Sequence, residues 1–223
     1  FKPGDNVTGC LRHTSADSVQ ADQLFQIPNG VSFEAASFIE LGIITLQGVR
    51  KARLSPGDRV AILGQGLIGQ LANRIVRAAG AARVIAIAPS GARAPTALQN
   101  GGADEFLQMR NQAFDPEKIA ADIVIEAAGT PEAIVTALRC ARLGGRVVLL
   151  GSSRGISWDI DLGMLLQRRG IELVGPVPAE QAKTHLHHLL AAVAMNLVRF
   201  VNWVTGVPLA PTRTSAFAAL AAT

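Results

Sequence analysis

Arg59-Val60-Ala61-Ile62-Leu63-Gly64-Gln65-Gly66-Leu67-Ile68-Gly69 is the stretch on which the fold turns. An apolar run with no polar alternation reads as a strand covered on both faces. Leu67, Ile68, Leu71, Ala72, Ile75, Val76 and Ala79 then recur at helical spacing until Gly80. Between strand and helix lies a Gly-x-Gly-x-x-Gly turn. Gly64 permits the tight turn, Gly66 lets backbone come close to a pyrophosphate, and Gly69 lets the helix pack against the strand. Leu67 and Ile68 open the helix, whose first amides and positive dipole end suit an anion. Three glycines alone indicate only a turn. Placed between a strand and a helix, they indicate dinucleotide binding.

Outward from this unit the pattern repeats. Arg83–Ala88, Asp122–Glu126, Arg146–Leu150 and Ile171–Val174 are short apolar strands. The helix before Arg146 has Thr130 as N-cap, Pro131 in its first turn and Gly144-Gly145 after its end. Alternating strands and helices predict an α/β fold, a doubly wound, six-stranded parallel (Rossmann) sheet over residues 40–178. Upstream, Phe1–Val7 reads as a turn entering a strand, Leu24–Pro28 as another strand, and Ser32 as a helix cap. Beyond 178 the pattern predicts a long helix, a strand-and-turn segment at 204–211 and a final helix. A start at Phe1 and an end in a helix suggest a piece of a longer protein.

Composition sets bounds. Of 223 residues, 49% are hydrophobic and 17% charged, enough for a sizeable core and against disorder. Two cysteines, Cys10 and Cys140, make no disulfide framework and fit a reducing, cytoplasmic setting. Every apolar run is interrupted before it reaches membrane-span length. The net charge of +4 is scattered, its densest clusters (Arg50-Lys51-Arg53 and Arg168-Arg169) reading as solvated helix ends. Without tyrosine and with few aromatics to stack bases, a nucleic-acid partner is not expected.

The usual next element is an acid about 20 residues on, at the end of the second strand, where it binds the adenine-side ribose. This chain has Ala88 there, followed by Pro89-Ser90-Gly91-Ala92-Arg93. Losing the carboxylate removes repulsion toward a 2′-phosphate, Ser90 can donate to that phosphate, and Arg93 can pair with it. This favours NADP over NAD. The alternative is an exposed Arg93 and a relaxed choice of cofactor.

Ser55–Gly69, Asp122-Ile123-Val124-Ile125-Glu126-Ala127-Ala128-Gly129 and Leu143–Gly151 together resemble the medium-chain dehydrogenase/reductase superfamily, of the zinc-type alcohol and polyol dehydrogenase kind. Phe1–Val7 is similar to the end of that family's GroES-like catalytic domain. The resemblance implies a division into 1–39 (the end of the catalytic domain), 40–178 (the Rossmann domain) and 179–223 (a closing helix and return segment). It also implies an oxidoreductase moving a hydride between a nicotinamide and an alcohol or carbonyl, working as a homodimer or higher oligomer. Ala127, Ala128 and Gly129 would lie beside the nicotinamide half, and Leu150, Gly151 and Ser152 near the ring itself. Glu40 falls where polyol-dehydrogenase-like members carry a catalytic-zinc carboxylate, but Leu41 replaces their Pro, and a first-turn Glu also suits a helix dipole. The other zinc-ligand segments are absent, so catalytic zinc stays open and no catalytic residue is assigned. Gly9-Cys10-Leu11-Arg12-His13 leaves no room for the Cys-rich lobe, so no structural zinc is expected.

Other residues have blander readings. His185, His187 and His188 form an exposed polar face, and His13 lacks neighbours for a proton relay. Glu126 orients backbone near the cofactor cleft in preference to acting as an acid, and Cys140 packs as a small hydrophobe. Two rivals remain: a non-catalytic dinucleotide-binding module or subunit, and a nucleoside-cofactor methyltransferase, against which Ala88 counts.

Overall fold

The computed structural model describes residues 1–9, 11–12, 14–100, 102–151, 160–161 and 163–175. The expectations for Cys10, His13, Ser152, the three histidines at 185–188 and the whole of 179–223 lie outside the described residues.

Strands β1 (Val7–Gly9) and β2 (Leu24–Gln26) pair antiparallel, Val7 opposite Gln26. Helix α1 (Phe33–Ala36) follows, its Ala35 amide donating to Ser32 Oγ at 3.2 Å, and leads into α2 (Ile39–Ala52). Alternation then begins with β3 (Arg59–Leu63), α3 (Leu67–Ala78), β4 (Arg83–Ala88), α4 (Ala94–Leu98) and β5 (Glu105–Gln108). The second half contains β6 (Ala121–Glu126), α5 (Pro131–Cys140), β7 (Ala141–Leu149) and β8 (Glu172–Val174).

Strands β3 to β8 form one parallel sheet of six in the order β5-β4-β3-β6-β7-β8. The chain leaves β3 toward one edge, then returns to β6 on its other side, so the strand order reverses between β3 and β6. Such a switch point opens a crevice at the carboxyl ends of the strands.

Period-two alternation distributes the core. Val60 and Ile62 of β3 join Val49, Ala52, Ile75 and Val76 from α2 and α3 on one face. Ala61 and Leu63 join Ile134, Ala137 and Leu138 from α5 on the other. All four β3 residues are fully buried, the condition under which a strand shows no alternation. Cys140 is also fully buried, packed as a small hydrophobe.

Four details depart from the sequence reading. The sixth strand is Glu105–Gln108, at a sheet edge. Gly144 and Gly145 lie inside the extended β7 segment, where the register against β6 shifts and Gly144 takes φ +65°. Leu67 is 57% exposed, so the helical stripe on the core begins at Ile68. Arg50, Lys51, Arg53 and Arg168 are exposed as expected, but Arg169 donates a part-buried hydrogen bond to the Ala141 carbonyl.

Candidate dinucleotide crevice

At the end of β3, Gly64 takes φ +90°, and its amide donates to the Ile87 carbonyl at 2.8 Å. A Cβ on Gly64 would lie 2.7 Å from the Ala128 nitrogen and 2.9 Å from the Ala127 carbonyl carbon. The turns after β3 and β6 therefore touch backbone to backbone. Gly69 is confined differently, because a Cβ there would fall 1.8 Å from the Gly64 carbonyl oxygen. Gly66 is the contrast. Among the described residues a Cβ on it would meet nothing within 4 Å, and the residue is exposed.

Gly66 is also the N-cap of α3, with no side-chain cap and no acid in the first turn. Helix α5 is finished otherwise, its Ala133 amide donating to Thr130 Oγ1 at 3.2 Å. Side-chain capping is thus withheld where the sheet opens. The buried Gln65 fixes the turn: its Nε2 donates to the Ile62 carbonyl at 3.0 Å, and its Oε1 accepts from Asn73 Nδ2 at 2.8 Å. Nothing in a variable motif position reveals that role, and neither Gln65 nor Asn73 was anticipated.

Beside Gly64, β4 ends at buried Ala88. Ser90 and Arg93 are both exposed, and among the described residues neither side chain makes a hydrogen bond or ion pair. Gly91 is pressed against Gln108, whose Nε2 would sit 2.5 Å from a Cβ at that position.

Across the switch point, Glu126 ends β6 with no exposed surface. Its Oε1 accepts from the Ala128 and Gly129 amides, each at 2.7 Å, and its carbonyl accepts from the Leu150 and Gly151 amides at 2.7 and 2.8 Å. Burial pushes the carboxyl above its ordinary value, and the two amides only partly offset this. Ala127–Gly129 and Leu150–Gly151 are therefore held together by one residue. The expectation that Glu126 orients backbone agrees with these contacts.

Helix α2 runs antiparallel to β7: Gly48 lies against Leu150, and the Lys51 carbonyl accepts from Arg146 Nη1 at 3.2 Å. Glu40, eight residues before Gly48, is roughly 12 Å further along the helix, on the crevice side. Among the described residues its Oε1 is buried without a hydrogen-bond partner. An orphaned oxygen suits a metal ligand, but among the described residues no three His, Cys, Asp or Glu side chains converge. One carboxylate does not compose the three-ligand set of a catalytic zinc, so no chemical step is derived through zinc. A cavity of about 300 Å³ lined by Arg50, Lys51, Arg53, Arg146 and Glu172 belongs to the other end of α2. Among the described residues, no helix is long and apolar enough to cross a membrane.

Comparison with known proteins accords with this geometry. The zinc-binding dehydrogenase family model matches residues 68–189. D-guloside 3-dehydrogenase of Escherichia coli K12 is 30% identical over 73% of the chain and 49% of its own length. Sorbitol dehydrogenase of Bacillus subtilis 168 is 30% identical over 60% of the chain and 39% of its own. A structure from Sinorhizobium meliloti 1021, described as a zinc-binding dehydrogenase bound to NADP, superposes with a TM-score of 0.65 at 28% identity, covering 77% of this chain and 52% of that one. The chain spans about half the length or less of these relatives.

Proposed function

The chain belongs to the zinc-binding dehydrogenase family, and we propose on that premise that it carries the cofactor-binding part of an NAD(P)-dependent oxidoreductase acting on an alcohol or its carbonyl counterpart. The observation that carries this reading is the α3 N-terminus: among the described residues no side chain caps it, no acid stands in its first turn to repel an anion, and the space before Gly66 is open at the switch point.

Gly64, Gly66, Leu67, Ile68 and Gly69 would hold the pyrophosphate. Ala88, Ser90 and Arg93 would hold the adenine-side ribose, and Ala127, Ala128, Gly129, Leu150, Gly151 and Ser152 the nicotinamide half. The small residues of this last group, Ala127, Ala128, Gly129, Gly151 and Ser152, suit a ring that must approach the backbone. The nicotinamide supplies the hydride chemistry when bound; this chain's residues bind, orient and exclude water. We favour NADP over NAD because β4 ends without a carboxylate, with the Arg93 guanidinium available to a 2′-phosphate. The name of the Sinorhizobium structure agrees with that choice. The relatives' names point to a polyol or sugar substrate. Two cysteines, and a β8 that forms the sheet edge among the described residues, support a cytoplasmic protein that pairs with a second copy.

Fluorescence titration of the chain with NADPH and NADH tests the reading. NADPH should bind more tightly, and Arg93→Ala should weaken NADPH about tenfold while leaving NADH unchanged. Equal affinities unaffected by Arg93→Ala would refute the cofactor choice, and no binding of either would refute the function. Binding without hydride exchange between NADP and sorbitol in the full-length protein would favour a non-catalytic module.

A further inference from the structure

We propose that Glu126 is a positioning residue for the second half of the dinucleotide, shaping the Ala127–Gly129 turn and the end of β7 without touching the ligand. The inference rests on the dinucleotide reading above. Strands β3, β4 and β5 form one mononucleotide half of the sheet, and β6, β7 and β8 the other. Glu126 stands at the start of that second half, one strand from the glycine turn.

Three observations carry the assignment. First, an ionisable side chain with no exposed surface is costly unless its polar atoms are satisfied, and here one oxygen does all the work. Both amides on Oε1 belong to adjacent residues of one turn, so the carboxylate dictates the orientation of two successive peptide planes. Second, the Glu126 carbonyl receives the Leu150 and Gly151 amides, so a single residue sets the spacing between two crevice loops. Third, among the described residues Oε2 is buried with no hydrogen-bond partner, and a Cβ on Gly151 would lie 2.9 Å from it and 2.5 Å from the Gly129 nitrogen. The close approach of Gly151 to Gly129 is kept although one carboxylate oxygen is left unsatisfied.

A need for stability alone is met more cheaply nearby, where the Thr130 hydroxyl serves the Ala133 amide. A buried carboxylate that loses stability yet fixes crevice backbone is expected where geometry serves binding.

The test compares NADPH with adenosine 2′,5′-bisphosphate, which lacks the nicotinamide half, by calorimetric titration of wild type, Glu126→Gln and Glu126→Ala in the intact chain. Amide hydrogen exchange at Ala128 and Gly129 is followed in the ligand-free proteins. Glu126→Ala should weaken NADPH about tenfold or more, leave the bisphosphate within about twofold, and speed exchange at both amides. Glu126→Gln, which keeps one acceptor oxygen, should recover part of the NADPH affinity and of the protection. If Glu126→Ala does not fold, the ratio of the two affinities in Glu126→Gln decides alone. Equal weakening of both ligands, or unchanged NADPH binding with accelerated exchange, would overturn the assignment. A wild-type chain that binds neither ligand would overturn the dinucleotide reading and the inference with it. Wild-type binding with an indifferent Glu126 would remove only the inference.

Discussion

Replacing Gly66 by alanine separates a glycine kept for a ligand from one kept for the fold. The residue sits at φ −75° and ψ −166°, extended backbone that alanine adopts without strain, and the added methyl meets no atom of the described residues within 4 Å. On stability, two small effects oppose each other. Alanine is a poorer N-cap than glycine by roughly 0.5–1 kcal/mol, while the lost flexibility of the unfolded chain restores about 0.4–1 kcal/mol. The net change should stay within about 1 kcal/mol, moving the melting temperature by no more than about 2–4 °C. For binding there is no such compensation. The methyl would occupy the space in front of the α3 amides and hold a pyrophosphate away from them. Losing one charge-assisted hydrogen bond costs about 1.5–3 kcal/mol, or roughly 10- to 150-fold in affinity. NADPH fluorescence titration alongside a thermal melt reads both quantities on one sample. Wild-type affinity in Gly66→Ala would show that no ligand approaches this turn. A fall of more than about 8 °C without ligand, more than twice the expected limit, would show that Gly66 serves packing after all.

Gly69→Ala should give the opposite profile, because its methyl would meet the Gly64 carbonyl oxygen at 1.8 Å: a loss of about 1–3 kcal/mol or more, visible as a lower urea midpoint before any ligand is added. Asp122 accepts from the Arg59 amide at 2.8 Å and from Arg142 Nε at 2.5 Å. Burial alone would raise this carboxyl, but Arg142 and the amide hold it below the ordinary 3.8. A depressed folded-state value contributes stability above pH 3.8 that is lost as pH falls through the folded value. Asp122→Asn should therefore lower the urea midpoint at pH 7 by about 1 kcal/mol equivalent, and the gap should close on acidification; a gap that persists at pH 2 would contradict the sign. The Cys140 thiol, pushed up to about 12 by burial, should resist iodoacetamide at pH 8 until urea unfolds the chain, with peptide mass mapping as the readout.

The strands visible in the sequence share a physical condition. β3, β4 and most of β6 are buried on both faces and carry uninterrupted apolar runs. β5 has one neighbouring strand and is half-exposed, so Glu105-Phe106-Leu107-Gln108 carries too little apolar pattern to stand out from a loop. Gly144-Gly145 is ambiguous for a similar reason: paired glycines end helices and also mark bulges, and only pairing against Ala121–Ile123 decides between these. Leu67 shares the helical spacing of the core stripe, but that spacing cannot show that the first turn overlooks an opening instead of a neighbour.

The crevice divides along the same line. Glycine positions are legible because each answers to local backbone: a positive φ at Gly64, a close approach at Gly69, empty space at Gly66. The side chains that lock these turns answer to distant chain. Gln65 depends on Asn73, two helical turns away, and Glu126 depends on Gly151, a helix and a strand away. Local motif grammar can therefore place the phosphate end of the crevice, while the opposite end emerges only once β6 and β7 lie side by side. That asymmetry makes Glu126 the more informative residue to mutate. Gly66 tests whether a dinucleotide arrives at all; Glu126 tests whether the fold, beyond the motif, prepares the place where its far half would react.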